Sequence, residues 1–86
     1  MKVYVVGDHG PEHNSIRSIH KTRKGALKAW DGLRIELLEH AKSFLSKRKE
    51  DELFERIVRN LSCKDPEKID NYTHETPYVQ EYEVED

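Results

Sequence analysis

With one cysteine, Cys63, in 86 residues, this chain has no partner for an internal disulfide. A cysteine metal centre cannot be built within a single chain for the same reason, and a lone Cys fits a reducing compartment. Long hydrophobic runs are also missing. The longest, Val3 to Val6, is far short of the roughly 20 apolar residues of a membrane span. A single Lys near the start, with no apolar stretch behind it, does not make a secretory signal. The expectation is a cytoplasmic protein with no membrane partner. Neither G-x-x-x-x-G-K-[ST] nor G-x-G-x-x-G occurs, so nucleotide hydrolysis and dinucleotide binding have no support.

What the chain has in quantity is charge, at 37% of residues against 35% hydrophobic. A single domain over residues 1–86 is expected, burying roughly 60–65% of its unfolded surface. Its thin core implies a net stability of about 5–8 kcal/mol. The charge is divided unevenly. Residues 17–49 carry ten Lys/Arg against three Asp/Glu, whereas residues 50–86 carry four against twelve. A total of −2 thus hides a basic middle and an acidic end. Such asymmetry marks either a charged partner or two halves that attract each other.

Lys2-Val3-Tyr4-Val5-Val6 is β-branched and aromatic with both faces apolar, which predicts a central strand. Gly7 to Asn14 contains two Gly, one Pro and one Asn and reads as a loop. Ser15 to His20 reads as a second strand in a hairpin with the first. Its Ile16 and Ile19 break strict alternation, which a bulge or burial on both faces would reconcile.

Thr22 is a good N-cap for a helix from Arg23 to about Ser46. Ala26, Trp30, Leu33, Leu37, Ala41 and Phe44 form one stripe, flanked by Leu27, Leu38 and Leu45. Gly25 and Gly32 weaken this helix, which suggests close backbone packing near them. After the charged run Lys47 to Glu52, apolar residues resume at Leu53, Phe54, Ile57, Val58 and Leu61. Continued unbroken, this second stripe would lie roughly 140° around from the first. A turn or kink within Lys47–Asp51, giving two antiparallel helices, is the expectation. An unbroken helix would need a second chain to cover the second stripe. Asp65-Pro66-Glu67-Lys68 reads as the start of a short third helix to about Thr73. Pro77 to Val84 alternates, with Tyr78, Gln80, Tyr82 and Val84 on one face and Val79, Glu81 and Glu83 on the other. This suits an edge strand.

The fold class read from these elements is α+β: a three-stranded, mainly antiparallel sheet packed on a long helix, in the order β-β-α-α-α-β. Val3–Val6, Ile16–Thr22, Ala26, Ala29, Trp30 and Val79–Val84 together resemble a group of small ββαβ proteins of phages and bacteria whose function is not established. Relative to that group, Arg48 to Asn71 looks like an insertion. The resemblance implies a phage or prophage origin, and a host cytoplasm as the place of action.

Among candidate sites, His9-Gly10-Pro11-Glu12-His13 has the H-x-x-E-H order of an inverted zinc-protease motif. That motif needs both His on one helical face, and Gly10 and Pro11 stand between them. A loop metal site using Asp8, His9, His13 or His20 is the weaker form of the idea. Cys63 with His74 has no supporting environment as a nucleophilic pair. No catalytic residue, cofactor or metal is therefore expected, and the protein is read as a non-enzyme.

Arg17, Lys21, Arg23, Lys24 and Lys28 form a candidate basic patch for nucleic acid or another partner, at a helix N-terminus where free amides also favour phosphate. Tyr4, Tyr78 and Tyr82 lie on strands, where an exposed ring stacks on a base. The acidic stretch Glu75 to Asp86 could imitate a phosphate backbone, and also discourages edge aggregation. Ile35 stands on the polar face of the long helix with Lys28, Asp31, Glu39 and Lys42, a candidate centre of self-association and hence of a homodimer. The leading functional expectation is a small protein-binding accessory protein acting on a host or phage protein. The alternative is a nucleic-acid-binding protein using the basic patch.

Overall fold

The computed structural model describes residues 1–10, 14–45, 52–69 and 75–85. The chain runs β1 (Lys2–His9), β2 (Asn14–His20), α1 (Arg23–Leu45), α2 (Glu52–Leu61) and β3 (Thr76–Glu83). The sheet order is β2-β1-β3, and both pairings with the central β1 are antiparallel. The α+β class, the central first strand and the edge position of the last follow the pattern of apolar residues.

The expected loop over Gly7 to Asn14 is shorter than its composition suggested, because β1 continues through Gly7, Asp8 and His9. These residues pair with Tyr78, Pro77 and Thr76 of β3, so the ladder carries the strand past its glycine. Gly7 is needed there. A Cβ at this position would run into the carbonyl oxygen of Ser15 and lie 2.6 Å from the Tyr78 hydroxyl.

α1 begins at a capped end: the Gly25 amide donates to Thr22 Oγ1 at 3.1 Å. Its stripe Ala26, Trp30, Leu33, Leu37 and Ala41 is buried together with Val6, Leu61 and Ile69. Tyr4, Ala29, Leu38, Ile57, Val58, Cys63 and Val79 pack around this core. The expectation of close packing at both helix glycines fails at Gly32, where an added Cβ would meet open space. Gly25 sits against the Thr22 hydroxyl instead.

α2 returns along α1. Arg34, buried in the middle of α1, donates from Nη1 to the Leu61 carbonyl at 2.8 Å, which places the end of α2 beside the centre of α1. This is the antiparallel pair expected from the phase of the two stripes, although the turn within Lys47–Asp51 lies outside the described residues. Acidic Glu52 and Glu55 at the start of α2 and Arg59 at its end suit the helix dipole.

The expected third helix is not formed among the described residues. Residues 66–68 make a single turn. Asp65 holds it: its Oδ1 accepts from the Glu67 amide at 3.0 Å and its carbonyl from the Lys68 amide at 3.1 Å. The Asp-Pro start signal is thus used for a turn. Ile69 follows at once and is buried in the core, where it anchors the chain.

Candidate functional site

The two faces of the sheet differ in covering and in chemistry. Residues directly opposite in antiparallel strands point to the same side. Val6, with Ser18 and Val79 beside it, faces α1, as do Tyr4 and Asp8. On the other side stand Val3, Val5, Gly7 and His9 of β1, Ile16 and Ile19 of β2, and Tyr78, Gln80 and Tyr82 of β3. No helix lies over that side among the described residues.

A bulge gives the open face its isoleucines. Ser18 pairs with Val6 but Ile16 pairs with Gly7, so Arg17 is the extra residue. Ile16 and Ile19 therefore share the open face although they are three positions apart. They are 65% and 64% exposed, and Tyr82 is 46% exposed. Val5, between Ile19 and Gln80, is only 7% exposed. At one end the His9 and Tyr78 rings are 5.0 Å apart, tilted at 52°. Burial raises the Tyr78 phenol above its ordinary value of 10.0, and Tyr82 and Asp8 add to the effect.

The charged residues of the strands are Lys2, Asp8, Arg17, Glu81 and Glu83, and all belong to the helix side. There they pair with one another or with the amino terminus. Arg17 Nε donates to Asp8 Oδ1 at 2.6 Å, Lys2 Nζ lies 3.7 Å from Glu81, and the Met1 amino group is 3.3 Å from Glu83. Among the described strand residues the open face is left without formal charge, in a chain that is more than one-third charged, and it carries Asn14, Thr76 and Gln80 beside its apolar residues.

The basic patch is divided by this arrangement. Arg17 meets the buried Asp8 and lines an open cleft of about 480 Å³ with Glu36, Leu37, Glu39, His40 and Glu75. Its guanidinium is held above its ordinary value by the hydrogen bond and charge of Asp8, with Glu36 and Glu75 adding to them. Lys21, Arg23, Lys24 and Lys28 remain exposed at the start of α1. The step from Lys24 to Glu36 along that helix is about 18 Å. Arg23 shares a hollow of about 120 Å³ with Leu27, Pro66, Glu67, Val79 and Glu81, so two carboxylates stand near it.

Asp8 and His9 point to opposite sides of the sheet, and His9 and His20 lie at opposite ends of the hairpin. Glu12, His13 and His74 lie outside the described residues. Among the described residues, no group of three or more metal-binding side chains comes together. Cys63 is half-buried, with Sγ 3.6 Å from the Asp65 carbonyl. Ile35 is 45% exposed on α1. No described helix is long and apolar enough to cross a membrane.

No family model, curated protein or solved structure matches this chain. The open face is the surface of this molecule that stands out for binding. The sequence signal for that face was present in the three-residue step from Ile16 to Ile19 and the alternation of β3. Those patterns alone did not tell which face α1 would cover.

Proposed function

We propose that this chain is a small non-enzymatic protein-binding protein whose binding surface is the open face of the sheet. The observation that carries this reading is the exposure of Ile16, Ile19 and Tyr82 together on a face without formal charge among the described strand residues. Scattered exposed apolar residues are ordinary, but a contiguous set on one rigid face marks an interaction site. Strands hold these side chains in fixed register, so little ordering is needed on binding. The resemblance to small ββαβ proteins of phages and bacteria suggests a host or phage protein as the target.

The nucleic-acid reading draws on Lys21, Arg23, Lys24 and Lys28 alone. Among the described strand residues it finds no cation on the face that presents the exposed tyrosine. One experiment separates the two readings: affinity capture with and without nuclease, using the parent, Ile19→Glu and the double variant Lys24→Glu/Lys28→Glu. Protein binding through the sheet gives a partner that survives nuclease and is lost with Ile19→Glu. Capture of nucleic acid that weakens with salt and is lost with the double variant overturns it in favour of the basic patch.

A further inference from the structure

The geometry points to a second copy of this chain as the occupant of the open face, the two sheets packing face to face about a twofold axis parallel to the strands. This inference rests on the reading of that face as a protein-binding surface and names its partner.

The face is divided lengthwise. β2 forms an aliphatic edge, Ile16 and Ile19, and β3 an aromatic edge, Tyr78 and Tyr82. The two edges match in height across β1: Ile16 and Tyr78 both stand opposite Gly7, and Ile19 and Gln80 both stand opposite Val5. A twofold axis along the strands places β2 of one copy over β3 of the other at the same height. Ile16 of each copy then meets Tyr78 of the other. Ile19 lies over Gln80, between the two tyrosines. Gly7, in the middle of the face, is overlain by the ring of its own Tyr78. Stacked sheets of like twist meet at about −30°, which keeps these pairs near each other.

Electrostatics agrees. A twofold interface uses the same patch twice, so any charge on it risks meeting its own kind. The strand charges, Lys2, Asp8, Arg17, Glu81 and Glu83, belong to the other side and are paired there. Among the described strand residues, a nucleic acid would find no cation on the open face, and a charged peptide no counter-charge.

The size of the face sets the strength. Three strands about 4.8 Å apart, with about seven residues each at about 3.3 Å, project about 350 Å². A standard interface takes about 800 Å² from each partner. The association is therefore expected to be weak, and a dissociation constant in the range of roughly 10–100 μM is the one to search.

The test is sedimentation velocity on the parent, Ile16→Glu, Ile19→Glu, Ile19→Ser and Ile35→Glu, at about 1 to 300 μM to span that range. Circular dichroism melting checks that each variant is folded. The parent is expected to move from the mass of one chain, 10.2 kDa, to that of two. Ile16→Glu and Ile19→Glu should raise the dissociation constant at least about tenfold. Ile19→Ser should raise it less, and Ile35→Glu, on the far side of the molecule, should leave it unchanged. A parent that stays at one-chain mass throughout overturns the second copy as occupant. So does a dimer that survives Ile16→Glu and Ile19→Glu, or one that Ile35→Glu abolishes. A monomeric parent that still captures a nuclease-resistant protein, lost with Ile19→Glu, removes the self-pairing and leaves the binding face standing. A monomeric parent with no such capture removes both.

Discussion

Arg17 reaches Asp8 at 2.6 Å, and this contact on the helix side accompanies the bulge that turns Ile16 and Ile19 together onto the open face. Asp8 is buried, whereas Arg17 is half in water. The two partners should therefore respond differently to removal. Arg17→Gln takes the guanidinium away from a buried carboxylate, while Asp8→Asn leaves only an exposed cation. In urea melts, Arg17→Gln is expected to lower the midpoint more than Asp8→Asn. Adding Asp8→Asn to Arg17→Gln should recover part of the loss. Equal and additive losses would show that the pair does not couple.

Gly7 tolerates no side chain. Gly7→Ala drives a methyl group toward the Ser15 carbonyl and the Tyr78 ring in the central strand. The expected cost is about 2–4 kcal/mol, or failure to fold. Tyr78→Ala should not rescue it, because the backbone carbonyl of Ser15 remains in the way. A Gly7→Ala melt within about 0.5 kcal/mol of the parent would refute the tight crossing.

Arg34 joins the two helices, and it does so from a buried position. Nε and Nη2 donate to Asp31 Oδ1 at 3.0 and 2.8 Å while Nη1 serves the Leu61 carbonyl. Arg34→Met keeps much of the volume but leaves that carbonyl unsatisfied at the end of α2. A loss of about 1–3 kcal/mol is expected in chemical denaturation. Arg34→Lys should recover only part of it, since one ammonium does not reproduce the fork.

Tyr78 gives the protein an alkaline sensitivity. Its pKa is raised above 10.0 in the folded state, so the folded chain holds the phenolic proton more tightly than the unfolded chain. This contribution is complete below pH 10.0 and declines as pH rises from there through the folded value. Tyr78→Phe removes it. The stability gap between parent and Tyr78→Phe should be constant below about pH 9 and shift in favour of Phe above about pH 10. Parallel pH profiles would rule out this linkage.

The sequence by itself determined the elements that local chemistry controls. The β-branched run Val3–Val6 makes a strand, Thr22 starts the long helix, and Ala26 to Ala41 at helical spacing supplies its buried stripe. The phase change between the Trp30 stripe and the Ile57 stripe sufficed to expect two helices. Local signals failed where a long-range contact outweighed them. Gly7 belongs to a strand because β2 and β3 flank it, and Asp65-Pro66 stops at one turn where Ile69 enters the core. Only the tertiary structure decided which side of the sheet α1 covers. Alternation divides residues between two faces but does not say which face is buried, and that choice leaves Ile16, Ile19 and Tyr82 open to a partner.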